Sequence, residues 1–331
     1  IKCVNLSNKN SLSFSIILSY DCNYFCNYCI HKLNNMAYTI MLYNKDPNHK
    51  RKISNNILDL NFKTFDYKFD LDSLDYFKEI INNLKCDNIS VNILGGEPTL
   101  YRNIEELIIK LDAIDKLNNI NLVTNGSKSI IYYNDLIRLS NKIKFNISYH
   151  SEFADNEHFL DLINMFDKNN IKDYSIHILL YDKYYNKIVE FLTMLNDNTK
   201  LNNVYLAKLC GVEYGDNNIF YNLLNNKTNN SITEPDYLLT FQDAYEIKIK
   251  EYQLLYLTCK NNYFFNNMKC DINKNFWNIN NNKIKCLCSD DLIFDITDTQ
   301  KFIDYYNSND YIICNGKCID DCFVKNTKWS N

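Results

Sequence analysis

The chain has 331 residues, 46% hydrophobic and 23% charged, with a net charge of −4 and a sequence pI near 5.8. That length buries a substantial core, and the charge carries no basic footprint for nucleic acid. No apolar run approaches the roughly 20 residues of a membrane helix, and Ile1 opens a mixed segment without signal-peptide order, so a cytoplasmic protein with neither membrane nor nucleic acid as partner is expected.

Residues 13–19 read as a buried strand that runs into a cysteine loop. Leu71, Leu74, Phe77, Ile80, Ile81 and Leu84 then fall at helical spacing, with Asp70 or Asp72 placed to cap the start. Residues 90–94 predict a second strand, closed by Gly95 and Gly96. Ile104, Leu107, Ile108, Leu111 and Ile114 repeat the helical pattern, and residues 119–124 predict a third strand ending at Asn125 and Gly126. Helices over residues 133–139, 157–166 and 185–195 alternate with strands over 144–148, 174–180 and 204–209. This alternation implies a parallel sheet with right-handed crossovers. The units are too few for a closed eight-stranded barrel. The expected fold is α/β, a partial (β/α)6 TIM-like barrel with a small Cys-rich C-terminal extension, its chemistry at the C-terminal strand ends.

Residues 211–235 are polar and Asn-rich and read as a boundary. A helical segment follows around residues 237–256, then the cysteine-dense tail. The expected division is a barrel over residues 1–215 and a linker helix with a Cys-rich domain over 216–331.

Thirteen cysteines is the unusual feature of the composition. An odd number without an export signal points away from disulfides and towards metal or clusters. Cys22, Cys26 and Cys29 form a C-x3-C-x2-C run directly after the first strand. A [4Fe–4S] cube is normally held by four thiolates, so three close ones leave one iron open to a chelating ligand. The same residues also admit two plainer readings, small side chains on one helix face or a zinc site. The loop-forming Asp21, Asn23 and Asn27 oppose the helix. Taken alone, Gly95-Gly96-Glu97-Pro98 reads as a tight turn, Thr124-Asn125-Gly126 as another, and Ser148 as a cap. His150 follows at the barrel mouth, as a substrate-pocket residue or plain surface.

In this order and at these strand ends, the cysteine loop and the GGEP stretch resemble the radical S-adenosylmethionine (SAM) superfamily, over roughly residues 12–210. Tyr28 matches the aromatic before the last cysteine of the loop. The resemblance implies that Cys22, Cys26 and Cys29 hold a [4Fe–4S] cluster. It further implies that Gly95, Gly96, Glu97 and Pro98 meet the amino group of SAM. Thr124 and Asn125 resemble the family's TNG, Ser148 a polar SAM contact, and Leu206 part of an adenine-lining segment. The chemistry implied is reductive cleavage of SAM to a 5′-deoxyadenosyl radical that abstracts hydrogen from the substrate.

In the tail, Cys270, Asn281 and Cys286 resemble the hairpin that opens SPASM or twitch extensions of that superfamily, with Asn281 where Gly is usual. Asn tolerates the left-handed backbone better than other non-Gly residues. Cys314, Cys318 and Cys322 add further thiolates, while the C-x2-C-x5-C-x3-C run of a full SPASM domain is absent. One auxiliary [4Fe–4S] cluster is therefore expected, on Cys270, Cys286 and two of the last three, with a four-thiolate zinc site as the alternative. Cys288 and Cys259 stand as alternates or spectators, and Cys3, Cys86 and Cys210 as ordinary buried thiols.

The substrate implied by this resemblance is a peptide or protein, with an electron donor such as flavodoxin or ferredoxin. A dehydrogenase or epimerase of a small molecule such as a sugar or nucleotide is the second reading. A non-catalytic Fe–S electron carrier or zinc-binding interaction protein is the third.

Overall fold

Alternation of buried and less buried residues along most of the strands sets the architecture. The computed structural model describes residues 11–26, 29, 69–171, 173–198, 204–208, 268–270, 276–286, 292–308, 312–314 and 329–330. Six parallel strands follow one another in space as in sequence: β1 (Ser11–Ile17), β2 (Asn88–Leu94), β3 (Leu117–Thr124), β4 (Ile143–His150), β5 (Tyr174–Leu180) and β6 (Val204–Lys208). Between them run α1 (Ser73–Asn83), α2 (Ile104–Asp112), α3 (Ile130–Leu139), α4 (Asn156–Lys168) and α5 (Tyr185–Asn198). Each of these helices packs on the next. Sequential strand order with right-handed crossovers places all of them on one side of the sheet. This is the expected open (β/α)6 barrel.

On the helix side the register lines up apolar residues across the strands. Phe14 stands across from Val91, Val91 from Ile120 and Ile120 from Ile143, and all four are buried in the one large core. Phe77 of α1 meets Phe14 edge-on at 5.1 Å, and Phe166 of α4 meets Phe145 at 5.0 Å. The other face is polar and half open. Asn92 donates to Ser13 at 2.9 Å, Asn121 to Asn92 at 2.8 Å, and Ser175 to Asn146 at 2.6 Å. Asn and Ser are poor strand formers. Here their side chains bond to one another across neighbouring strands, and the core on the opposite face supplies the pairing energy.

Two helix starts carry a side-chain cap, while Asn103 before α2 and Asp72 before α1 make none. Asp155 accepts the His158 N–H at 2.8 Å and Ser129 that of Tyr132 at 3.3 Å, as N-caps should. Asp72 sits at the N-cap of α1 without a side-chain bond, and Asp70 instead accepts the Asp72 N–H in the turn before it.

The later part of the chain adds to the same sheet. After the short strand β7 (Met268–Cys270), β8 (Phe276–Asn280) runs parallel to β1 on its free side, and β9 (Lys283–Cys286) and β10 (Ile293–Asp295) continue outward in antiparallel fashion. The sheet thus has nine strands in the order β10-β9-β8-β1-β2-β3-β4-β5-β6. Asn281 and Asn282 take φ of 50° and 54°, the left-handed pair of a two-residue hairpin turn. Trp277 is fully buried, with Phe302 of α6 (Thr299–Ser308) edge-on at 4.9 Å, and α6 packs against α1. Strands β11 (Ile312–Cys314) and β12 (Trp329–Ser330) flank β7 in a separate three-stranded sheet of order β11-β7-β12. No helix among the described residues is long and apolar enough to cross a membrane.

Candidate active site

The cysteine loop leaves the C-terminal end of β1 and is laid on the end of β2 by main-chain bonds. The Leu18 N–H donates to the Leu94 carbonyl at 3.0 Å, Gly96 N–H to Ser19 at 2.9 Å and Glu97 N–H to Asp21 at 2.7 Å. Glycine is required for this approach. A Cβ on Gly95 would stand 2.4 Å from the Ser19 carbonyl oxygen, and one on Gly96 2.3 Å from that of Asp21. Gly95 also has φ of 150°. GGEP is thus a docking surface for the cysteine loop, and Pro98 opens a 3-10 turn, Pro98–Leu100, in which Pro98 and Thr99 are buried.

The described residues of the loop, up to Cys26 and at Cys29, are not helical, which removes the reading of three cysteines on one helix face. Cys26 is buried, while Cys22 and Cys29 are half-buried. The Tyr24 N–H donates to the Cys22 sulfur at 3.3 Å, and the Asn125 amide approaches it at 3.9 Å. His150 Nδ1 lies 3.4 Å from the Cys26 sulfur. Burial raises the Cys22 thiol pKa, and the Tyr24 N–H partly offsets it. Tyr24 itself is pushed up to about 12 by burial, with Glu97 adding to the effect.

Glu97 is fully buried and its carboxylate is occupied within the protein. Oε1 accepts the Thr99 N–H at 3.1 Å, the Thr99 hydroxyl at 2.6 Å and the Thr124 hydroxyl at 2.7 Å, and Oε2 accepts the Asn125 N–H at 2.6 Å. Its task is to brace the ends of β2 and β3. Asn125 passes the brace on, donating to Asn23 of the cysteine loop at 2.8 Å, while Asn23 donates to Ser127 at 2.9 Å. Gly126 takes φ of 71°, and its carbonyl lies 2.9 Å from His158 Nε2.

Of the remaining sequence candidates, Ser148 lies on the open face of β4, across from His177. Leu206 stands across from Ile178 in β6, and Tyr28 lies outside the described residues. The tail candidates divide between two sheets. Cys286 is buried in β9, across from Trp277. Cys270 stands across from Ile312 and Trp329, and Cys314 across from Met268, in the three-stranded sheet. Cys318 and Cys322, with Cys3, Cys210, Cys259 and Cys288, lie outside the described residues, and Cys86 is a buried thiol.

Sequence reasoning passed over Tyr24, the bonds of Asn23 to Asn125 and Ser127, and the Cys26 contact of His150. Tyr24 stacks on Phe153 at 4.9 Å and meets His150 edge-on at 5.8 Å. The signal available was one of position, since all three sit in or beside strand-end loops at the same end of the barrel.

The residues fit a cluster with a polar ligand beside it. Donors point at cysteine sulfurs, as they do around Fe–S centres. Next to His150, Ser151 Oγ and Glu152 Oε2 are buried with no hydrogen-bond partner among the described residues, as a ligand-accepting end of β4 would leave them. Among the described residues no three His, Cys, Asp or Glu side chains gather tightly enough for a single metal ion. A cubane puts each thiolate on a different iron and needs a wider set.

No protein-family model and no curated protein matches the chain. Among solved structures it is similar to anSMEcpe carrying a hexahistidine tag, with bound AdoMet, at 17% identity and a TM-score of 0.51 over 88% of this chain and 77% of that one. Native anSMEcpe with bound AdoMet gives 15% identity and a TM-score of 0.51 over 90% and 81%. Native anSMEcpe with bound AdoMet and the Cp18Cys peptide gives 17% and 0.41, and there the chain spans 54% of that structure's length and the match 63% of its own. What this chain shares with them is the fold, a partial α/β barrel.

Proposed function

We propose that the chain is a radical SAM enzyme acting on a peptide or protein. One observation carries this reading: three thiols on a non-helical loop, seated on Gly95 and Gly96 at the C-terminal ends of parallel strands. Cys22, Cys26 and Cys29 would hold a [4Fe–4S] cluster as thiolates, with the Tyr24 N–H, the Asn125 amide and His150 around two of the sulfurs. When bound, cluster and SAM supply a one-electron cleavage that yields a 5′-deoxyadenosyl radical able to take hydrogen from an unactivated carbon. Gly95, Gly96 and Pro98 offer main chain to the amino group of SAM, and Glu97 holds that main chain in place from behind. Thr124, Asn125, Ser148, Leu206 and Tyr28 are the further SAM-facing positions in this reading.

The polar face of the barrel supports a substrate that hydrogen-bonds along its length. Asn92, Asn121, Asn146, Ser175 and His177 line it with amides, hydroxyls and an imidazole, the groups that pair with peptide main chain. The electron would come from a flavodoxin- or ferredoxin-type donor in the cytoplasm. An auxiliary [4Fe–4S] cluster would draw on Cys270, Cys286 and two of Cys314, Cys318 and Cys322, and iron analysis of about eight rather than four per chain tests it.

Replacing Cys22, Cys26 or Cys29 with Ala should abolish 5′-deoxyadenosine formation by the reconstituted, dithionite-reduced protein, read by liquid chromatography. Formation retained in all three variants would overturn the assignment.

A further inference from the structure

His150 is the last residue of β4, and its imidazole is turned onto the cysteine loop. Nδ1 lies 3.4 Å from the Cys26 sulfur. The ring is held edge-on against Tyr24, and Tyr24 is stacked on Phe153. The main chain is held as well, because the His150 carbonyl accepts N–H groups from Phe153 and Ala154 at 2.9 and 2.8 Å. Cys26 is only 4% exposed, packed by Tyr24, Cys29, Leu179 and Tyr181. In so dry a place a hydrogen bond is electrostatically stronger than in water.

An imidazole nitrogen that faces a sulfur either donates or accepts, according to which ring nitrogen carries the hydrogen. A neutral imidazole has one donor and one acceptor nitrogen. A cysteine that ligates iron has lost its proton, so its sulfur only accepts. The tautomer beside it is then the one with hydrogen on Nδ1.

We infer that His150 is a positioning residue for the cluster, donating Nδ1–H to the Cys26 sulfur and thereby raising the potential at which the cluster accepts its electron. This rests on the reading of Cys22, Cys26 and Cys29 as the ligands. One electron passes from a flavodoxin- or ferredoxin-type donor to the cluster, and no bond forms or breaks at His150. The added charge is shared by the ligand sulfurs, so an N–H dipole aimed at one of them stabilises the reduced form more than the oxidised one. Hydrogen bonds to cluster sulfurs are among the factors that set such potentials.

The test is an EPR-monitored redox titration of the full chain, reconstituted anaerobically with iron and sulfide, in the wild type and in His150→Phe and His150→Asn. AdoMet addition marks the signal of the cluster with an open iron, and distinguishes it from any other cluster in the chain. Phenylalanine keeps the ring against Tyr24 and removes the donor. Asparagine places an amide N–H near the position of Nδ1. The expected result for His150→Phe is a cluster still responsive to AdoMet, with its reduction equilibrium about tenfold less favourable, or ~59 mV lower for one electron. His150→Asn should return most of that shift. His150→Leu serves with the same readout where phenylalanine is not accommodated.

A phenylalanine or leucine variant with the wild-type potential overturns the inference and leaves the proposed function standing. A wild type without an AdoMet-responsive signal overturns both. A lowered potential that asparagine does not restore assigns the effect to packing and also overturns the donor role.

Discussion

At Glu97 a carboxylate is fully buried, and the bonds that satisfy it come from two hydroxyls and two main-chain N–H groups. Every one of those partners donates, so only an acceptor with two oxygens suits the place. Glu97→Gln would set an amide N–H against a donor and leave at least one buried group unpaired, at about 1–3 kcal/mol. Chemical denaturation of the cluster-free protein under reducing conditions should show that loss. An unchanged midpoint would remove Glu97 as a brace. Tyr133 extends the same network, with its hydroxyl 3.0 Å from that of Thr124. Its pKa is raised first by burial and then by Glu97, so it stays a neutral phenol there.

At the scale of elements, the cysteine loop and the end of β2 form one unit through the main-chain bonds of Leu18, Gly96 and Glu97. Gly96→Ala drives a methyl group into the Asp21 and Tyr20 carbonyls. The loop must lift or shift, since both obstacles are main chain. Overpacking of this kind costs about 1–3 kcal/mol, and the expected consequence is poor iron retention with the circular-dichroism spectrum of the barrel preserved. Full iron loading in Gly96→Ala would show that the loop does not need this seat.

The parallel barrel was legible because its signal is periodic: apolar residues alternate in the strands, and Leu74, Phe77, Ile80 and Ile81 recur at helical spacing. Strand 174–180 falls on the residues read from sequence, while β1 and β2 each begin two residues earlier than expected. The polar Ser11 and Asn88 at those starts pair by main chain, which leaves no apolar trace. The pairing of β8 with β1 was not legible. Residues 276–280 carry no mark of which distant strand they join, and only the turn at Asn281 after them was readable. At the site, the motifs located Gly95, Gly96 and Glu97 but not the direction of the Glu97 side chain. That direction depends on Thr124 and Asn125, supplied by the next strand.

For the molecule as a whole, Trp277 ties the late hairpin to the barrel. It is fully buried, edge-on to Phe302, and β8 pairs Trp277 with Phe14. Trp277→Ala should cost about 3–5 kcal/mol, seen as a lower unfolding midpoint. A loss no larger than that of a surface substitution would mean that the hairpin only leans on the barrel. The hairpin also reaches the cysteine loop directly, with the Asn280 amide donating to the Tyr20 hydroxyl at 3.0 Å.

Strand β1 lies between β2 and β8, and Ile16 pairs with Ile279. As the ribosome releases the chain, one flank of the strand that leads into the cysteine loop waits for a neighbour made about 260 residues later, on the order of tens of seconds at ~5–20 residues per second. Until then the nascent barrel has a bare rim beside its most oxidisable residues. In the proposed reading of Cys22, Cys26 and Cys29 as cluster ligands, iron delivery is therefore best timed after the chain has left the exit tunnel.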